Sequence, residues 1–177
     1  TDGKAILPTP VLGVVGLIED AATATCRAFR SDGDAIALLG EPRGELGGSE
    51  YLQVTHGLVR GVPPLLDLER EAALQRLLVK GVSAGLIRSA HDCAEGGLAV
   101  TLAECCFDTG LGADADISAV DTAASRFGDM AAMFGESASL VVVSIAANQT
   151  AALQSLAATE GVPATIIGRV GGDRIRV

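Results

Sequence analysis

Residues Leu140–Ile145 read LVVVSI, a run of strand length that is almost wholly apolar on both of its alternating faces. A strand wetted on one side would alternate apolar and polar residues, so this run predicts a strand covered on both faces, in a sheet with helices packed against it. Downstream, Asn148 is placed to cap a helix reaching about Glu160, Gly161 stops it, Ala164–Val170 reads as a further strand and Arg174–Val177 as an edge strand. Upstream, Met130–Gly135 predicts a helical turn, Asp121–Arg126 a short helix, and Ala113–Ile117 a strand entered by the Gly110/Gly112 turn. Gly97–Phe107 is an Ala-rich helix and Leu86–His91 an extended segment. Asp67 is positioned to cap a long helix over Leu68–Ala84, apolar at Leu74, Leu77 and Leu78 and ended by Gly85. Ser49 opens a shorter helix to about His56, and Gly61-Val62-Pro63-Pro64 breaks it. Asp34–Leu39, DAIALL, predicts a second buried strand, and Val11–Ile18, VLGVVGLI, bounded by Pro8, Pro10 and Glu19-Asp20, predicts a third.

Strands alternating with helices define an α/β chain of α+β type: a mixed central sheet flanked by helices, mixed because some connections are too short for a crossover helix. The 177 residues fit a single domain, with no dividing linker and no internal repeat. Nearly half the residues are hydrophobic but only 3% are aromatic, so the core is built from Val, Leu, Ile and Ala. The net charge of −9, without a basic stripe, disfavours nucleic acid and anionic membrane surfaces as partners. No apolar run is long enough for a transmembrane helix. The first residues, Thr1-Asp2-Gly3-Lys4, lack both an initiator Met and the layout of a secretion signal, which points to a piece of a longer chain. Cys26, Cys93, Cys105 and Cys106 form no CxxC pair and, with His56 and His91, complete no zinc pattern; they read as reduced thiols of a cytoplasmic protein.

Three constellations could carry chemistry. In Glu45-Leu46-Gly47-Gly48-Ser49-Glu50-Tyr51, Gly47 and Gly48 let backbone approach a ligand and Ser49 sits at a helix start, where free N–H groups favour a phosphate. The same residues also read as a glycine turn with an ordinary Ser cap. In His91-Asp92-Cys93-Ala94-Glu95-Gly96-Gly97, Asp92 and Glu95 are hard donors suited to Mg²⁺ bridged to a nucleotide phosphate, with His91 as an acid, a base or an orienting donor. Gly96 and Gly97 open the following helix; alternatively Asp92 caps a turn and His91 is a satisfied interior residue. The third, Gly135-Glu136-Ser137-Ala138-Ser139, pairs Glu136 and Ser137 for a polar substrate, or forms a surface turn. There is no GxxxxGK(S/T) loop, no GxGxxG and no nucleophile elbow, and the only lysines are Lys4 and Lys80.

Taken in order, Pro8-Thr9-Pro10-Val11 through Glu19-Asp20, then Glu45–Tyr51, His91–Val100, Phe134–Ser137 and Ile167–Asp173 resemble phosphoribosylformylglycinamidine synthase, of the aminoimidazole ribonucleotide synthetase superfamily, from Lys4 to the last residue. The resemblance implies a C-terminal-type α/β domain spanning 1–177, with 1–10 leading in from an upstream domain. It implies a share in an ATP-dependent ligase that converts formylglycinamide ribonucleotide and glutamine-derived ammonia to the amidine, with ATP or ADP and Mg²⁺ serving the whole enzyme. The implied partners are the upstream domains, a glutaminase subunit and a small bridging subunit. The family carries the domain pair twice, and this chain is similar to the second copy, whose site holds a nucleotide structurally; Ala138 stands where the first copy has Gln. No catalytic residue is therefore assigned here. Gly47, Gly48, Ser49, His91, Gly96, Gly97, Glu136 and Ser137 are carried over as ligand contacts, and Asp92 and Glu95 as metal contacts. Another enzyme of the superfamily and a non-catalytic nucleotide-binding or assembly module remain the alternatives.

Overall fold

A computed structural model describes residues 11–120 and 128–177, so the expected helix Asp121–Arg126 and the lead-in 1–10 lie outside the described residues. The strands are β1 (Ala35–Leu39), β2 (Ile87–Asp92), β3 (Ala113–Ala115), β4 (Val141–Ile145), β5 (Ala164–Val170) and β6 (Ile175–Arg176). The helices are α1 (Glu50–His56), α2 (Leu68–Ser83), α3 (Gly97–Cys106), α4 (Asp129–Phe134) and α5 (Thr150–Glu160). One sheet forms in the order β2-β4-β1-β5-β3-β6. All its pairings are antiparallel except β3 with β6, which makes the sheet mixed as expected.

The unbroken apolar runs are explained by the two cores. On β1, Ile36 and Leu38 face one apolar cluster with Leu98 and Leu102 of α3, while Ala35, Ala37 and Leu39 face the other with Leu74 and Leu77 of α2 and Leu153 of α5. On β4, Val142 joins the first cluster and Val141, Val143 and Ile145 the second. Helices thus cover both faces, and every residue of β1 and β4 is buried. Fully burying each Val, Leu or Ile contributes about 1.5–3 kcal/mol.

The helix ends follow local chemistry. The Asp67 carboxylate accepts the N–H groups of Glu69 and Arg70 and starts α2. Gly161, in the left-handed region at φ 72°, ends α5. Asn148 does not cap α5: it lies inside a 3₁₀ turn, Ala147–Gln149, and the cap position falls on Gln149 without a side-chain bond.

The expectation of a buried strand at Val11–Ile18 is wrong for this chain. The segment forms no strand, and Val14, Val15 and Leu17 are more than 90% exposed. A strand needs a neighbour to take its N–H and C=O groups. The free side of β2 is met instead near Cys26, which bridges to Ser89, while Ala90 N–H donates to Cys26 O.

Candidate functional site

Register places the tips that matter on one edge of the sheet. Leu39 at the end of β1 and Asp92 at the end of β2 both pair with Val141 at the start of β4. The loops leaving β1 and β2 and the loop entering β4 therefore meet, and these are the three constellations read from the sequence. Glu136 N–H donates to Glu45 O at 2.9 Å, Arg43 N–H to Ser137 Oγ at 3.1 Å, and Cys93 N–H to Leu140 O at 2.9 Å.

Glu136 is the centre of this junction. Its Oε1 accepts from Glu50 N–H, at the first turn of α1, at 2.9 Å and from Gly96 N–H, just before α3, at 2.8 Å. A carboxylate suits such helix-start donors because they carry partial positive charge. The donors that the sequence suggested for a phosphate are thus held by a side chain of the same protein. Gly97 permits the close approach: it is left-handed at φ 65°, and a Cβ there would stand 2.7 Å from Gly135 O. Gly47 is small for a similar reason, since a Cβ would collide with the Val62 carbonyl. Tyr51 of α1 stacks on Phe134 of α4 at 5.3 Å between centroids, tying the same two loops from outside.

The two hydroxyls expected at the site are internal. Ser49 is 1% exposed; it donates to Leu46 O at 2.7 Å and accepts from Leu52 N–H, as the cap of α1. Ser137 is similarly buried and engaged by Arg43 N–H. What faces outward is a shallow hollow lined by Glu50, His91, Asp92, Glu95, Gly96 and Glu104, among others. His91 lies between two carboxylates, Nε2 to Glu104 Oε2 at 2.6 Å and Nδ1 to Asp92 Oδ1 at 3.3 Å. Glu104 went unmarked in the sequence because it sits a full helix away from His91; its phase on α3 was the available signal. Asp92 and Glu95 do share the hollow. Among the described residues, however, no three His, Cys, Asp or Glu side chains converge to hold a metal. A Mg²⁺ held by Asp92 and Glu95 would need ligand phosphate and water to complete its shell.

Beside the junction, a cavity of ≈200 Å³ opens between Gly40, Arg43, Asp67, Arg70, Ser139 and Pro163. Ser139 is the one non-glycine with positive φ among the described residues, at 61°, and its hydroxyl donates to Glu71 Oε2 at 2.6 Å. Such a conformation costs about 1–3 kcal/mol and is held only where neighbours over-determine it. The four cysteines are free. Burial pushes the Cys93 and Cys105 thiols up to about 12, which leaves both unreactive.

A two-faced mixed sheet whose glycine loops gather at one edge defines an α/β domain with a loop-built junction at its strand tips. Residues 31–177 match the family described as AIR synthase related protein, C-terminal domain, and the chain belongs to that family. The chain is 46% identical over its whole length to the phosphoribosylformylglycinamidine synthase subunit PurL of Moorella thermoacetica, spanning 23% of that protein. Among solved structures, Thermotoga maritima PurL complexed with FGAR superposes with a TM-score of 0.75 at 16% identity, over 88% of this chain and 27% of that one. The same protein complexed with ATP gives 0.70 at 17% identity, over 88% and 25%. These structural likenesses concern the fold. The chain spans about a quarter of the relatives it matches.

Proposed function

We propose that this chain is the C-terminal α/β domain of an ATP-dependent ligase that makes formylglycinamidine ribonucleotide from formylglycinamide ribonucleotide and glutamine-derived ammonia. The observation that carries this reading is the meeting of the three family-like loops at one sheet edge, held by Glu136. In that reaction ATP phosphorylates the amide oxygen and ammonia displaces the phosphate, so the protein's task is to position reactants and neutralise charge. The chain's own share is modest. The junction fixes three loops as one rigid wall. The hollow lined by His91, Asp92 and Glu95 presents carboxylates at the surface, and another domain would close over it. There Asp92 and Glu95 would hold Mg²⁺ against a nucleotide phosphate, and the metal would offset the phosphate charge. His91, pinned between Asp92 and Glu104, would orient rather than transfer protons.

The same geometry favours a second reading, in which this domain is a nucleotide-holding or assembly half rather than a catalytic one. Glu136, Ser49 and Ser137 are all spent on internal bonds. On either reading the upstream domains, the glutaminase subunit and the small bridging subunit are the partners, the setting is cytoplasmic, and the isolated chain turns nothing over. No described helix is long and apolar enough to cross a membrane.

The test is turnover and calorimetry on the longer protein and on this chain. Turnover only by the longer protein supports the domain assignment, and turnover by the chain alone refutes the dependence. Weakened Mg-ADP binding in Asp92→Asn and Glu95→Gln variants, with turnover unchanged, selects the nucleotide-holding reading. Loss of turnover selects the catalytic one.

A further inference from the structure

We propose that the opposite end of the sheet carries a separate anion pocket, built by Arg30 and Arg88 and shaped for the phosphate of a small phosphomonoester. A hollow of ≈520 Å³ lies between the residues before β1, the start of β2 and the end of α2. Its polar side chains are Thr23, Thr25, Arg30, Ser31, Ser83 and Arg88; among the described residues no carboxylate lines it. In a chain of net charge −9, a recess lined by Arg30 and Arg88, with the Asp34 carboxylate paired to Arg88 from outside the lining, is an exception to the surrounding field. The hollow at the other end shows the contrast, since Glu50, Asp92, Glu95 and Glu104 line it. The two lie at opposite strand ends: Ile87 and Ile145 pair at this end, Asp92 and Val141 at the other.

Two details argue for a ligand rather than a merely wet groove. Arg88 Nη1 is fixed by Asp34 Oδ1 at 2.6 Å, with Asp34 only 3% exposed. One edge of a half-exposed guanidinium is thereby set, and its remaining donors are left for a second partner. A phosphomonoester supplies oxygens for both guanidinium groups. Arg30 makes one bond, Nη2 to Ala24 O at 3.1 Å, and no ion pair among the described residues. The nearby Asp20 is turned onto Ala22 N–H.

The proposal is tested by calorimetry on the intact protein at low ionic strength with ribose 5-phosphate, inorganic phosphate and acetate. Saturable binding of ribose 5-phosphate at about 1 mM or tighter is expected, weakened about tenfold by Arg30→Ala. The pair Asp34→Asn with Arg88→Gln keeps a hydrogen-bonding pair but removes the cation, and should also lose binding while still unfolding cooperatively. Ribose 5-phosphate binding more tightly than inorganic phosphate supports a phosphorylated metabolite, and equal binding supports the bare anion; both sustain the pocket. No saturation up to about 20 mM, roughly twentyfold above the expected dissociation constant, overturns it. So does binding unchanged by Arg30→Ala, binding lost on Asp92→Asn instead, or acetate binding as well as phosphate.

Discussion

Val11–Ile18 and Leu140–Ile145 are two apolar runs of strand length with opposite fates. The second is β4 with its flanking Leu140, in which Val143 and Ile145 are fully buried and hydrogen-bonded strands lie on both sides. The first stands in the open, with Val15 98% exposed. Composition says which residues favour burial; it does not say against what. For β4 the neighbours β1 and β2 lie within the chain. For VLGVVGLI no strand among the described residues pairs with it, and the chain spans only about a quarter of its relatives.

Charge substitutions break this comparison most sharply. Val143→Asp buries an unpaired carboxylate between α2 and α5 and should abolish cooperative folding, since burying such a group outweighs a typical domain stability of about 5–15 kcal/mol. Val15→Asp should shift stability by no more than about 0.5 kcal/mol, as for exposed sites generally. Thermal unfolding of the two variants measures both. A large loss in Val15→Asp would mean that the segment packs somewhere on this body after all.

The next largest effect sets the buried sheet against the loop junction. Glu136→Ala leaves the Glu50 and Gly96 N–H groups without their acceptor and should cost about 1–3 kcal/mol. Glu136→Gln keeps a carbonyl oxygen in the same place and should recover most of that loss. Amide exchange reads it locally: protection at Glu50 and Gly96 should fall in Glu136→Ala, while Val143 in β4 stays protected. Uniform loss at all three would show that the junction and the sheet open as one unit.

Local signals were the legible ones. The buried runs of β1 and β4, the Asp67 and Ser49 caps and the Gly161 stop are each written in a few adjacent residues, and each stands where the sequence places it. Asn148 misled because a 3₁₀ turn inserts before α5 and shifts the cap by one residue. The site was legible only as fragments. Gly96 and Glu136 are 40 residues apart, and nothing local says that the carboxylate of one loop satisfies the N–H of the other. The glycines of Gly47-Gly48 and Gly96-Gly97 read as room for a ligand. At Gly47 and Gly97 that room is taken by Val62 and Gly135 of the same chain.

The smallest effect is electrostatic and belongs to the packed body rather than the loops. Hydrogen bonding from Arg70 N–H holds the Asp67 carboxyl below 3.8, and the Lys80 ammonium, at 2.5 Å, holds Glu160 below 4.5. In the unfolded chain both groups bind protons more readily, so their contribution is whole above those ordinary values and is lost as pH falls through the lower native ones. Asp34 runs the other way. Burial raises its carboxyl above 3.8 despite Arg88, so the native state holds the proton longer and stability from this group declines as pH rises through that raised value. Acid unfolding midpoints of Glu160→Gln and Asp67→Asn should therefore show a shallower loss between about pH 5 and 2, while Asp34→Asn should show a steeper one. Because Glu160 joins α5 to α2 through Lys80 and Arg76, its change should leave amide protection at Glu50 and Gly96 untouched; coupling there would mean that the helix layer and the loop junction share one cooperative unit.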